Sequence, residues 1–261
     1  MAQGGGKGHV EVFEDFTSGL SQSLSDATEY QFNQIRLAAI SGNVAMDIVV
    51  TAPNGIATFS GAAGATDGVA LYAMPYQPST QGTITMQARF KTSALTSYGF
   101  FAGWQETVAV AEPVNPFTLS GTTLTSNDGG NAFGAYYDTA ATTDDVRVHA
   151  SVDGTELTTA LTSGGTAYGS LGIRANTTLV AAKWQYVRVE IDPDGAGRVY
   201  WSDTTLCPRN DGPKLIADIR AGNLDTTALY HPILILVDPS TNDPLHSVDF
   251  FGASGGRSWA F

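Results

Sequence analysis

In the stretch "YVRVEIDPDGAGRVYWSD", residues 186–203, Glu190, Asp192 and Asp194 stand at alternate positions. Carboxylates spaced this way on a strand can be the acid and nucleophile of a sugar-cleaving enzyme, whose retaining form needs them about 5–5.5 Å apart. They can also ligate calcium, here with Asp203 on the return strand, or simply end a strand at a turn. The neighbours discriminate. If Val187, Val189 and Ile191 face a core, then Arg188, Glu190 and Asp192 face away from it, and Glu190 and Asp192 are neighbours on one sheet face. Pro193 ends ladder pairing, and Asp194-Gly195 is a strong hairpin signal. "RVYWSD" then resumes the alternation, so the pattern predicts a hairpin tip. The calcium reading lacks the further oxygen ligands and the closing Glu of a helix–loop–helix calcium site. Asp138 and Asp144-Asp145 mark other acid-bearing loops, where calcium at the rim of a sandwich stays open as a reading and solvated turn acids are the commoner one.

Other residues with chemical potential give less. "GASGG" at 252–256 is similar to the Gly-Asp-Ser-Gly-Gly around the nucleophile of chymotrypsin-like proteases, which would make Ser254 the nucleophile. Ala253 stands where that pattern has Asp, and a flexible Gly/Ser turn before a terminal strand is the better account. "GGGKG" is no phosphate loop, because neither Ser nor Thr follows Lys7. His9, His149, His231 and His246 are scattered, without metal-binding spacing. His149 alternates with Val148 and Ala150 and is expected on the exposed face of its strand. Cys207 lacks an evident base, which leaves a structural thiol as the default. Trp104, Trp184, Trp201 and Trp259 could stack on sugar rings, although Trp184 opens a core strand and aromatics commonly fill sandwich cores. No catalytic residue, cofactor or metal ligand is assigned.

The elements that position these residues are strands. The chain has 261 residues, 29 of them Gly, and a formal net charge of −12. A chain of this length can bury roughly 70% of its unfolded surface, enough for a core without staples. One cysteine excludes an intramolecular disulfide. The N-terminus has no apolar signal-peptide core and no run reaches the length of a membrane-spanning helix, so a soluble protein made in a reducing cytoplasm is expected, with no membrane partner. That leaves the glycosylation pattern at Asn176-Thr177-Thr178 without a route. Only 13 Lys and Arg, in no block, argue against nucleic acid as a partner.

Period-two alternation dominates. "TITMQARFK" puts Ile84, Met86, Ala88 and Phe90 on one face and Thr85, Gln87, Arg89 and Lys91 on the other. "DVRVHASV" and "YVRVEI" do likewise. "PILILV" at 232–237 is apolar throughout, which predicts a strand buried on both faces. "HVEVFEDF" and "HSVDFF" predict a first and a late strand. Turn-rich links such as "APNG", "SNDGGN" and "PSTNDP" separate the strands, as in a sandwich. One short helix is expected over 214–221, "KLIADIRA". Residues 1–9 read as an N-terminal arm and residues 10–261 as a single domain.

Several phrases occur in the order found in concanavalin-like, laminin-G-like jelly rolls: "FEDFTSG", "GTITMQARFK" with "YGFFAGWQET", "NAFGAYYD", "KWQYVRVEIDPDGAGRVYWSD" and "HPILILVDPSTNDPLHSVDFFGASGGR". "EID" also resembles the start of the Glu-x-Asp-x-x-Glu signature of β-glucanases of this fold. Pro193, Asp194 and Gly195 stand in the region where the second glutamate belongs, so a glycoside hydrolase using Glu190 is disfavoured. The "HVEVFEDF" opening, the "FAGWQET" segment with its Pro-rich follow-on "AEPVNP", and "FGAYYD" resemble structural proteins of tailed bacteriophages. That resemblance implies an all-β concanavalin-like jelly roll of two antiparallel sheets with an extended arm. It implies a non-enzymatic decoration or cement protein on the capsid exterior, assembled in the host cytoplasm. The major capsid protein would be its partner, and a homo-oligomer, with a trimer favoured, its state. The arm residues Gly4, Gly5, Gly6, Lys7 and His9 are the expected partner-binding residues. The alternative is a carbohydrate-binding module of a virion, with a glycan as partner.

Overall fold

The computed structural model describes residues 8–17, 21–25, 28–40, 44–49, 55–61, 67–96, 98–108, 116–120, 123–126, 130–139, 145–157, 171–173, 177–202, 213–238 and 245–257. In chain order its strands are β1 (Gly8–Glu14), β2 (Ser21–Leu24), β3 (Glu29–Phe32), β4 (Ile35–Ile40), β5 (Val44–Val49), β6 (Ile56–Gly61) and β7 (Asp67–Tyr72). A one-turn helix α1 (Pro78–Gln81) precedes β8 (Ile84–Thr92), β9 (Gly99–Gln105), β10 (Phe117–Ser120), β11 (Thr123–Ser126), β12 (Ala132–Asp138), β13 (Asp145–Val152) and β14 (Thr155–Glu156). The rest are β15 (Leu171–Ile173), β16 (Thr177–Thr178), β17 (Gln185–Ile191), β18 (Gly197–Ser202), β19 (Lys214–Ile219), β20 (His231–Asp238) and β21 (His246–Arg257).

Among the described residues these form two large antiparallel sheets. The first runs β15-β19-β18-β17-β8-β21-β6-β5-β2, with β1 also on β21; the second runs β14-β13-β12-β9-β20-β7-β4-β3, with β16 on β13. Period-two sequences build both. Ile84, Met86, Ala88 and Phe90 of β8 and Val187, Val189 and Ile191 of β17 turn inward and are fully buried. They meet Phe100, Ala102 and Trp104 of β9 and Phe133, Ala135 and Tyr137 of β12 in one core. Trp104 ties the sheets together, its indole N–H donating to the Val189 carbonyl at 3.1 Å. "PILILV" does lie in a strand buried on both faces: Leu234 and Leu236 join the main core, while Ile233 and Ile235 join a second cluster outside the second sheet. The β10–β11 hairpin caps that cluster through Phe117, which packs on Phe101 at 5.3 Å between ring centroids.

Three sequence expectations fail here. Residues 214–219 are a strand, not a helix. Leu215, Ile216 and Ile219 imitate helical spacing because the β18–β19 pairing shifts register there: Val199 faces Ala217 but Tyr200 faces Leu215, leaving Ile216 as the extra residue of a bulge. "GASGG" is strand rather than turn, held between β1 and β8 as part of β21. His149 is fully buried, not exposed, because the face it shares with Arg147 is covered by Phe117, whose ring centroid lies 3.4 Å from that of His149.

Candidate functional site

The β17–β18 hairpin pairs Tyr186 with Ser202 at one end and Ile191 with Gly197 at the other. Its tip is closed by Asp192 N–H donating to Ala196 O at 2.8 Å and Gly195 N–H to Asp192 O at 3.0 Å. The Asp194 carboxylate accepts from Ala196 N–H at 3.0 Å, which spends it on the turn. Gly195 has φ +80°, and a Cβ there would lie 2.7 Å from the Leu224 carbonyl oxygen. The turn therefore needs glycine. The Asp-Gly step is the predicted hairpin tip.

Glu190 and Asp192 do share one face, and one guanidinium holds both. Arg198, opposite Glu190 in the ladder, places Nε 2.9 Å from Glu190 and Nη2 2.8 Å from Asp192. Arg188 pairs with the other Glu190 oxygen. Thr83 Oγ1 donates to Asp192 at 2.7 Å. Burial works against the Arg198 charge, but hydrogen bonds to Glu190 and Asp192 outweigh it and raise its pKa above the ordinary arginine value. Glu190 is 5% exposed. Its oxygens are committed to cations, and none is presented to a sugar or a water. A general acid or nucleophile needs the opposite: a free oxygen at the mouth of a cleft and a second carboxylate across it. Among the described residues, no group of three or more His, Cys, Asp or Glu converges to hold a metal ion.

The same outer face of the first sheet carries aromatic and cationic side chains. The Trp184 ring has the Arg89 guanidinium 4.9 Å and the Lys91 ammonium 4.7 Å from its centroid. Arg188 lies 5.5 Å from the Tyr200 centroid. Phe250 packs on Phe13 at 5.6 Å and on Tyr186 at 6.0 Å, and Tyr186 donates to Gln87 Oε1 at 3.0 Å. Phe13 is 48% exposed. Trp104 and Trp201 fill the core, whereas Trp184 stands half-buried on this face just before β17. The sequence contained the signal, since alternation already put Arg89 and Lys91 on the polar side of β8. What it lacked was the register that sets Trp184 beside them and Arg198 opposite Glu190.

The expected partner-binding residues Gly4, Gly5, Gly6 and Lys7 lie outside the described residues, as do Asp144, Asp203, Cys207 and Trp259. His9 is in β1, paired with Gly256. Ser254 is paired with Glu11 on one side and Thr85 on the other. His231 lies in β20 of the second sheet, and His246 lies in β21 opposite Thr92 of β8, well along the strand from Thr85, the β8 partner of Glu190.

Two antiparallel sheets face to face, with sequence-distant strands β8, β17 and β21 adjacent, define the class: the chain is an all-β concanavalin-like jelly-roll sandwich. Solved structures agree. A protein of unknown function from Shewanella oneidensis MR-1 superposes with TM-score 0.54 at 15% identity, over 94% of this chain and 90% of that one. The carbohydrate recognition domain of Emp47p gives TM-score 0.51 at 10% identity, over 90% of this chain and 95% of that one. Lectin UEA-II complexed with galactose gives 0.50 at 10% identity, over 91% and 98%. At these identities the likeness is one of fold. No family profile and no curated protein sequence matches the chain.

Proposed function

We propose that the chain is a non-catalytic binding protein, and specifically a structural protein of a tailed-bacteriophage virion that decorates or cements the outer face of the capsid. The observation that carries the first part is the grip of Arg188 and Arg198 on Glu190 and Asp192, which turns the most enzyme-like residues of the sequence into a structural ion-pair network. The second part rests on the resemblance of "HVEVFEDF", "FAGWQET" and "FGAYYD" to such virion proteins. A net charge of −12 suits a surface away from packaged DNA. In this reading the partner is the major capsid protein, and Gly4, Gly5, Gly6, Lys7 and His9 reach onto it. The chain enters β1 at Gly8, opposite Arg257, so this arm joins the sandwich at the end of β21. The test compares particles of the source phage made with and without the protein. Earlier DNA release on heating, and loss of density from the outer shell, are expected without it. Unchanged release removes the cement role, and density on the tail alone removes the capsid.

The second reading is a carbohydrate-binding module, favoured by Trp184, Tyr186 and Tyr200 standing partly exposed on one sheet face, since aromatic faces can stack on sugar rings. A glycan array run with calcium present checks it. A hit lost in Trp184→Ala supports it, and a blank array removes it.

A further inference from the structure

The outer face of the first sheet is self-complementary about its central strand. Five adjacent strands, β1, β21, β8, β17 and β18, place β8 in the middle. One cross-strand row reads Phe13, Gly252, Gln87, Arg188, Tyr200. At its centre is an amide, which can both donate to and accept from another amide. On one side of it stands Gly252, over which the Phe13 ring packs, and on the other a long cation projects. Aromatic rings stand at both ends. Turning a second copy over by 180° about an axis along β8 reverses this row on itself. Gln87 then meets Gln87, Arg188 meets the Phe13 ring that covers Gly252, and Phe13 lies against Tyr200.

The flanking rows obey the same operation. In one, Glu11 meets Arg198 and Ser254 stands over Glu190 and the arginines that cover it, with Thr85 on the axis. In the other, Phe250 meets Tyr186 with Arg89 on the axis, and each Arg89 is already neutralised by its own Asp249 at 2.6 Å. Charge selects the same partner. Among the described residues of this face Arg89, Lys91, Arg188 and Arg198 offset Glu11, Glu190, Asp192 and Asp249. Two copies therefore meet here without net charge repulsion across the patch, while charges elsewhere are screened beyond about 8 Å at physiological salt. The internal ion pairs also hold the arginine side chains in place, which reduces the entropy that docking must remove.

We propose that this face docks a second copy of the chain face to face, with a two-fold axis along β8. Five strands about 4.8 Å apart and three rows about 7 Å apart make a patch of roughly 500 Å² per copy, or on the order of 1,000 Å² for the pair. That is the low end for specific interfaces, so the dimer is concentration-dependent. The proposal does not depend on the virion reading. Sedimentation equilibrium of the full chain tests it, with the mass rising from 27.3 kDa to twice that value as concentration increases. Phe13→Asp should weaken association about tenfold or more, whereas Leu229→Asp, at a 53% exposed apolar residue elsewhere, should leave it unchanged. In a Cys207→Ser background, Gln87→Cys should form a disulfide-linked dimer under mild oxidation, and Thr155→Cys, on the second sheet, should not. A single monomer mass at all concentrations overturns the proposal. So do equal cross-linking at the two cysteines and a face that, without self-association, uses Phe13 to bind capsids or a glycan instead.

Discussion

Arg198 decides what Glu190 and Asp192 are. Alternation along "YVRVEID" is enough to put the two carboxylates on one face, and it invites a catalytic reading. The register of the hairpin then puts Arg198 directly across from Glu190, and the pair becomes the two acceptors of one guanidinium. A two-residue loop at Asp194-Gly195 would set Glu190 opposite Val199 rather than Arg198, so that register was not in the sequence, although the hairpin tip was legible. The depth of burial was not, because it depends on Arg188 and Arg198 covering the carboxylate. Removing Arg198 leaves Glu190, 5% exposed, with half its partners. Since the guanidinium itself is partly solvated, Arg198→Met should cost about 1–3 kcal/mol, read as a lower urea midpoint. Adding Glu190→Gln to Arg198→Met should recover part of that loss, because it removes the carboxylate left short of a cation.

Among the elements, strands with unbroken alternation, β8, β13 and β17, were legible from period alone. β19 was not, since a single bulge residue, Ile216, changes the side-chain parity and makes a strand look like a helical turn. His149 shows a different limit. Its parity was read correctly, opposite Val148, but which face meets solvent depends on the β10–β11 hairpin folding over the second sheet, information carried by Phe117 some thirty residues earlier. Burial pushes the His149 pKa well below the ordinary histidine value. Phe117→Ala should therefore raise the His149 pKa toward that value, followed by NMR titration of its ring protons. It should also cost about 3 kcal/mol or less, since the hairpin can partly collapse onto the space left. At the other hairpin tip the demand is on the backbone: Gly195→Ala places a Cβ 2.7 Å from the Leu224 carbonyl at φ +80°. A loss of about 1–3 kcal/mol in thermal or urea unfolding is expected there.

Among the described residues His149 and His246 are buried and His231 is half-buried. His149, His231 and His246 are each held below the ordinary value chiefly by burial, His246 to about 4, while a 2.9 Å bond between the His231 ring and the Ala73 carbonyl works in the opposite direction. For a depressed histidine the unfolded chain binds the proton and the folded chain does not. Stability from this source is thus complete above the unfolded value of about 6.5 and declines as pH falls toward the folded value. Between about pH 6.5 and 5 most carboxylates are still ionised, so this window isolates the histidines. Each proton taken up on unfolding contributes about 1.4 kcal/mol per pH unit, and three set an upper slope of roughly 4. His246 has a route to being tested singly. Its ring lies 5.4 Å from that of Tyr98 between the sheets, where a phenyl ring can replace it without leaving a void. His246→Phe should flatten the stability–pH slope by about one proton's worth in this window, and should remove on the order of 3 kcal/mol of the total loss down to pH 4. Urea unfolding at half-unit steps from pH 7 to 5 measures it directly. A slope unchanged by His246→Phe would remove His246 from the acid response and leave that response to His149, His231 and the carboxylates.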